Sequence, residues 1–249
     1  MAGHSHWARI KRAKSATDAR RGRMWSKLAR AVIVAARSGG GDPETNLNLR
    51  YAIDAAKAAN MPKDTIERAV KKGTGEIGGQ SFDELIFEGY GPGGVAILCT
   101  VLTDNRNRTA PLIKKIFERR AGNLGATNSV AWMFSKRGVF IVPSTQADED
   151  TLTQIALEGG ADDLKPVGDA FELDCDPAVF EDLRQALDAA EIKPESAEIS
   201  MVPSSTVTLA GEDAERMVKL LEELEDHDDV QAVYSNFEMS EAEMARLAQ

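Results

Sequence analysis

The chain has 249 residues and 27.0 kDa, which at ~100–200 residues per domain suggests two domains and leaves room for three. With 43% hydrophobic and 28% charged residues it can bury a core, which excludes wholesale disorder. The net charge of −10 hides an asymmetry: residues 1–75 hold 16 Lys and Arg against 6 Asp and Glu, whereas residues 138–249 hold 6 against 28.

No apolar stretch approaches the roughly 18–20 residues needed to span a bilayer, and the start lacks the apolar region of a secretory signal. Cys99 and Cys175 stand far apart without a partner motif, so we expect two reduced thiols in a cytoplasmic protein. Metal-ligand spacing is absent, and we expect no metal and no cofactor. A charge patch acts over a Debye length of about 8–10 Å, so a distant acidic lobe does not cancel a local basic field.

The residues from Arg9 to Arg23 are too polar and too basic to pack, and read as a solvated arm or as a helix awaiting an anion. From Trp25 a helix follows the stripe Trp25, Leu28, Ala29, Val32 and Ala36. A second helix follows Asp42-Pro43 and stops near Asn60-Met61-Pro62. Pro62 opens a third, with Ile66, Ala69 and Val70 inward and Gly73 as its C-cap. The glycines between residues 74 and 81 read as a linker.

Strands and helices then alternate: a strand over 95–103, a helix over 109–121 and a strand over 130–134. A self-contained run follows, with strands at 138–142, 164–167, 170–173 and 197–201, a helix at 148–158 and a second helix opened by Pro177. The order is that of a ferredoxin-like βαββαβ unit. A strand at 206–209, a helix at 212–226 and a strand at 230–237 complete the chain. The expected fold class is multidomain α+β, a three-helix bundle plus two α+β (ferredoxin-like) domains, one inserted in the other. Its domains would be residues 1–76, residues 77–136 with 204–249, and the insert 137–203.

The string Gly89-Tyr90-Gly91-Pro92-Gly93-Gly94 matches G-x-G-x-x-G but precedes a strand, so it reads as a turn between strands. Two basic sets carry more. Arg9, Lys11, Arg12, Lys14, Arg20, Arg21, Arg23, Lys27 and Arg30 have Trp7 and Trp25 among them and one acid, Asp18, across residues 1–30. That footprint suits phosphate contact and base stacking, with Trp7 the stacking candidate and Trp25 in the core. Arg106, Arg108, Lys114 and Lys115 form a second anion patch, with Thr109 expected to cap the helix beside them. The acids of Asp226-His227-Asp228-Asp229 lie against the helix dipole and read as a solvated turn. With three histidines, none paired with a Ser or Cys in a recognisable arrangement, we expect no catalytic residues and no enzyme.

The opening Met1-Ala2-Gly3-His4-Ser5-His6-Trp7-Ala8-Arg9-Ile10-Lys11, the junction Ala59-Asn60-Met61-Pro62-Lys63-Asp64, and Glu88-Gly89-Tyr90-Gly91-Pro92-Gly93-Gly94-Val95 resemble the YebC/PmpR family. So do Leu102-Thr103-Asp104-Asn105-Arg106-Asn107-Arg108-Thr109 and Gly122-Asn123-Leu124-Gly125. One departure is Asn128, where the family commonly has glycine. The resemblance implies a helical domain, two α+β domains and no catalytic residues. It also implies a transcriptional regulator that binds duplex DNA or, alternatively, a ribosome- or RNA-associated translation factor that relieves stalling or activates translation. The expected partners are thus nucleic acid, duplex DNA or ribosomal RNA on the ribosome, with a protein partner for the acidic lobes and no membrane.

Overall fold

The computed structural model describes residues 18–78 and 81–247, the side chains of residues 18–21 excepted. It divides into two compact units, one of Trp132–Val207 with Asn236–Glu238, the other of the described residues before Trp132 with Thr208–Ser235 and those from Met239 on.

The larger unit begins with three helices, α1 (Asp18–Gly39), α2 (Leu47–Ala58) and α3 (Lys63–Thr74). Val32 and Ala36 from the α1 stripe pack with Leu49 and Ala69, and Trp25 packs against Ala56, Met61 and Ile66. The Trp25 indole donates to the Ala59 carbonyl at 2.9 Å, so its polar edge is satisfied in the core. The helix expected from Trp25 begins by Asp18, because Ala, Arg and Met in its first turns are good helix formers that need no packed face.

The last turn of α3 also departs from expectation. Its C-cap is Gly75, at φ +83°, and Gly73 is a buried helical residue. A Cβ at Gly73 would stand 2.5 Å from the Ile33 carbonyl oxygen, so glycine is there to let α1 and α3 approach. Asn46 closes the junction before α2: it accepts from Leu49 N–H at 3.1 Å and donates to the Ala35 and Gly40 carbonyls at 2.9 and 2.8 Å.

The same unit holds an antiparallel sheet of β1 (Asp83–Tyr90), β2 (Ala96–Thr103), β3 (Asn123–Leu124) and β9 (Val230–Ser235), in the order β3-β1-β2-β9. The Gly89–Gly94 string is the turn between β1 and β2, with a short 3-10 turn over Pro92–Gly94. Two helices, α4 (Arg106–Arg119) and α7 (Gly211–Asp226), carry the apolar residues that meet this sheet. Gly89 lies against the Phe117 ring, and Gly91 against Met217, Leu220 and Ile97.

The second unit runs β4 (Phe134–Pro143), α5 (Glu149–Gly159), β5 (Ala161–Val167), β6 (Ala170–Cys175), α6 (Phe180–Ala189) and β7 (Ser196–Pro203). Its sheet order β5-β6-β4-β7, antiparallel throughout, is that of the ferredoxin-like unit. Phe140 on β4 stacks on Phe180 of α6 with ring centroids 4.6 Å apart. The chain closes through β8 (Val207–Thr208), β10 (Phe237–Glu238) and α8 (Glu241–Leu247).

The two strands expected at 130–134 and 138–142 are one, β4, preceded by a 3-10 turn over Ala131–Met133. Two local causes explain this. The amides of Asn128, Val130 and Ala131 donate to the Glu88 carboxylate at 2.6, 2.8 and 2.7 Å, so they are unavailable to a ladder. Arg137, between the two expected strands, pairs in mid-strand with Asp174 at 2.6 Å and with Asp162.

Candidate nucleic-acid interface

Of the first basic set, Arg9, Lys11, Arg12 and Lys14 lie outside the described residues, as do His4, His6, Trp7 and the side chains of Arg20 and Arg21. The remaining three, Arg23, Lys27 and Arg30, recur at i, i+4 and i+7 on one face of α1. That face meets the C-terminal end of α7. Arg23 Nη2 stands 3.7 Å from Asp226 Oδ1, and Arg30 Nη1 lies 3.1 Å from Asp229 Oδ1. Lys27 Nζ donates to the Glu225 carbonyl and Arg30 to the Asp228 carbonyl. Cations there complement the negative end of the α7 dipole and satisfy carbonyls the helix leaves open.

In the turn at residues 226–229, expected to be solvated, Asp226 and Asp228 are exposed, but Asp229 is only 4% exposed and lies at the junction between α1 and the sheet. An acidic sequence after a helix looks like a free polar turn; here the cations come from α1, far away in the chain.

From the second set, Arg108 reaches the same carboxylate. The cap of α4 is Asn105 rather than Thr109: its side chain accepts from the Arg108 N–H at 3.1 Å. Thr109 is fully buried, and its hydroxyl donates to Asp229 Oδ2 at 2.6 Å. Arg108 Nη2 lies 2.9 Å from Asp229 Oδ2 and 2.8 Å from Asp104 Oδ1, while Arg106 pairs with Asp83 at 3.8 Å. Lys114 stands 3.7 Å from Glu118; Lys115 is exposed. Arg30 and Arg108, from patches that read separately in sequence, thus share one counter-ion.

Burial pushes the Asp229 carboxyl up, but the Thr109 hydroxyl, Arg108 and Arg30 outweigh it and hold the group below its ordinary range. Bonded to Asp229 and Asp104, the Arg108 guanidinium is held above its own. His227 is pushed below its ordinary value by burial, against the pull of Asp229 and Asp228. These groups line a cleft of about 550 Å³ in which Arg23, Arg30 and Arg108 face Asp226, Asp228 and Asp229 beside Leu112 and His227. Three arginines against three carboxylates make it charge-balanced, and it suits an internal fastening better than a bound anion.

Cations without such a partner lie elsewhere. On α3, Lys63 stands 3.7 Å from Glu67, whereas Arg68, Lys71 and Lys72 are exposed and have no ion pair among the described residues. The helix carries no Asn or Gln to read base edges, and the i, i+3, i+4 spacing of its cations is the signal in the sequence. Cys99 and Cys175 are free and buried, with thiols pushed by burial up to about 12 and about 11. No helix among the described residues is long and apolar enough to cross a membrane.

A three-helix segment followed by two antiparallel sheets backed by helices defines the class, a multidomain α+β protein. The model of the TACO1/YebC protein N-terminal domain matches residues 5–76, and that of the TACO1/YebC second and third domain matches residues 82–237. The chain belongs to the TACO1/YebC family. It is 51% identical over 243 residues to a probable transcriptional regulatory protein of Pelotomaculum thermopropionicum, covering 97% of this chain and 100% of that one. A probable transcriptional regulatory protein of Geobacter sulfurreducens is 51% identical over 247 residues, 99% and 100% of the two chains. Among solved structures, a conserved hypothetical protein from Aquifex aeolicus superposes with a TM-score of 0.81 at 44% identity, over 90% of this chain and 93% of that one.

Proposed function

We propose that the chain is a non-enzymatic cytoplasmic regulator that binds nucleic acid through its helical segment, acting on duplex DNA as a transcriptional regulator. The observation that carries this reading is the charge retained by that segment. Residues 1–75 hold 16 cations against 6 acids, and the acidic turn at 226–229 pairs with one face of α1 only. Counterion release makes such an excess a sequence-independent source of affinity for any phosphate backbone. The names of the relatives favour transcription. In this reading the chain works as three folding units, residues 1–76, 77–136 with 204–249, and 137–203, and its acidic lobes face a protein partner.

One feature favours a second reading, a translation factor on the ribosome. The α3 sequence KDTIERAVKKGT contains no Asn or Gln to read base edges, which suits recognition of RNA shape and phosphates. A salt titration against duplex DNA, structured RNA and purified ribosomes separates the two. With about five phosphate contacts, log K on duplex should fall with log[salt] at a slope near −4 to −5, and Ala at Arg20 and Arg21 should flatten it. Tight saturable ribosome binding beside weak, sequence-blind DNA binding selects the second reading; no saturable binding to any of the three refutes both.

A further inference from the structure

The cations of α1 and those of α3 have different surroundings. Arg23, Lys27 and Arg30 are turned onto the end of α7 and its acidic turn. On α3 the buried seam is Ile66, Ala69 and Gly73, and Arg68, Lys71 and Lys72 share the opposite, exposed face at i, i+3 and i+4. None of the three has a carboxylate within ion-pair distance among the described residues: Glu67 stands with Lys63, and Glu76 accepts from the Thr74 hydroxyl. Arg68 and Lys72 form a like-charge i, i+4 pair, an arrangement that weakens a helix on its own and that a bound anion relieves. The helix dipole favours Lys71 and Lys72 in the last turn; it gives no reason for Arg68 or for the missing counter-charge.

The backbone beside this face is also bare. A Cβ at Gly41 would stand 2.6 Å from Thr74 and 3.4 Å from Val70, which places the loop after α1 against the last turn of α3. Gly40, at φ +88°, and Gly75, at φ +83°, have nothing within 4 Å of where a Cβ would be. An open glycine position directly after a cationic face lets an extended polyanion lie close to the main chain at Gly75.

We infer that Arg68, Lys71 and Lys72 on α3 form the contact surface for the sugar–phosphate backbone of a nucleic acid, in place of the Arg23–Lys27–Arg30 face of α1. The inference rests on the nucleic-acid reading above and assigns its contact residues. Three phosphate contacts contribute about 2.7 to the duplex salt slope, at ~0.9 each.

The test uses the full chain, as wild type, as R68Q/K71Q/K72Q, and as K136Q/K193Q/K219Q, which removes three exposed cations elsewhere. Each is titrated with salt against a duplex DNA, a structured RNA and purified ribosomes, with a thermal melt of every variant. The expected result is a duplex slope shallower by about 2–3 for the α3 variant and unchanged for the control. The arm that binds most tightly identifies the source of the phosphates. A wild-type slope in the α3 variant, or an equal loss in the control, overturns the assignment and leaves the nucleic-acid reading standing; a wild type that binds none of the three overturns both. Should the triple variant fail to fold, R68Q and K72Q singly are each expected to lower the slope by about 0.9, and an unchanged slope in both overturns the assignment.

Discussion

At Asp229 a single carboxylate answers two guanidinium groups and two buried hydroxyls: Arg30 on one oxygen, Arg108, Thr109 and Thr103 on the other. Removing the carboxylate leaves the buried Thr109 hydroxyl without this acceptor and two partly exposed guanidinium groups without their counter-charge. Asp229→Ala should therefore destabilise the chain by roughly 1–3 kcal/mol, measured by urea unfolding at pH 7. The pH dependence has a definite sign. The folded carboxyl titrates below its unfolded value, so its contribution is present above about pH 4 and is lost as pH falls through the lower folded value. Asp229→Asn should then lag the wild type at pH 7, and the gap should narrow towards pH 3; a gap independent of pH would contradict the charged role. Glu88 is a second buried acid, and its burial raises the pKa against the backbone amides of Val130, Asn128 and Ala131, which lower it further than burial lifts it. Its reach across the chain fixes the loop before β4, where Asn128 takes φ +64°. That left-handed conformation is one asparagine adopts more readily than other non-glycine residues.

Among the elements, the α1–α3 contact is the most sensitive to a single atom. Gly73→Ala places a Cβ 2.5 Å from the Ile33 carbonyl oxygen and 2.6 Å from Ala36 Cβ, and the backbone oxygen cannot rotate away as a side chain would. Overpacking of this kind costs typically 1–3 kcal/mol, so a thermal melt should show a clear fall in Tm. Alanine is the better helix former, so an unchanged or raised Tm would mean the helices shift apart freely. The elements also mark how far sequence reaches. The α1 stripe, the ferredoxin-like order and the β1–β2 turn follow from apolar periodicity and glycine placement, which are local. The cap of α4 was legible too, since Asn105 is as good a cap residue as Thr109; what hid it was the buried partner that claims the Thr109 hydroxyl.

On the scale of the whole molecule, each compact unit contains one cysteine, Cys99 on β2 and Cys175 on β6, both fully buried. Burial keeps these thiols protonated well above neutral pH, so neither offers a thiolate. The native chain should leave a thiol reagent unreacted at pH 8, and denaturant should release both groups, with C99A and C175A variants assigning each rate to its unit. Prompt labelling of either thiol in the native chain would show that its unit opens readily. Charge also belongs to this scale: a chain of net −10 keeps its cationic excess in the first 75 residues, where an overall isoelectric point does not show it.

The sequence by itself determined the α+β class, the helical opening, the strand order of the second unit and the family, because each of these lies in residue spacing or in short ordered strings. It also located the cations. Which of them stay available was decided by the tertiary structure alone. The carboxylate that takes Arg30 and Arg108 lies 199 and 121 residues away from them, and an ion pair across such a distance leaves no trace in local pattern. Only when α7 ends beside α1 and α4 do Arg30 and Arg108 meet one buried carboxylate, leaving the outer face of α3 as the segment's exposed positive surface among the described side chains.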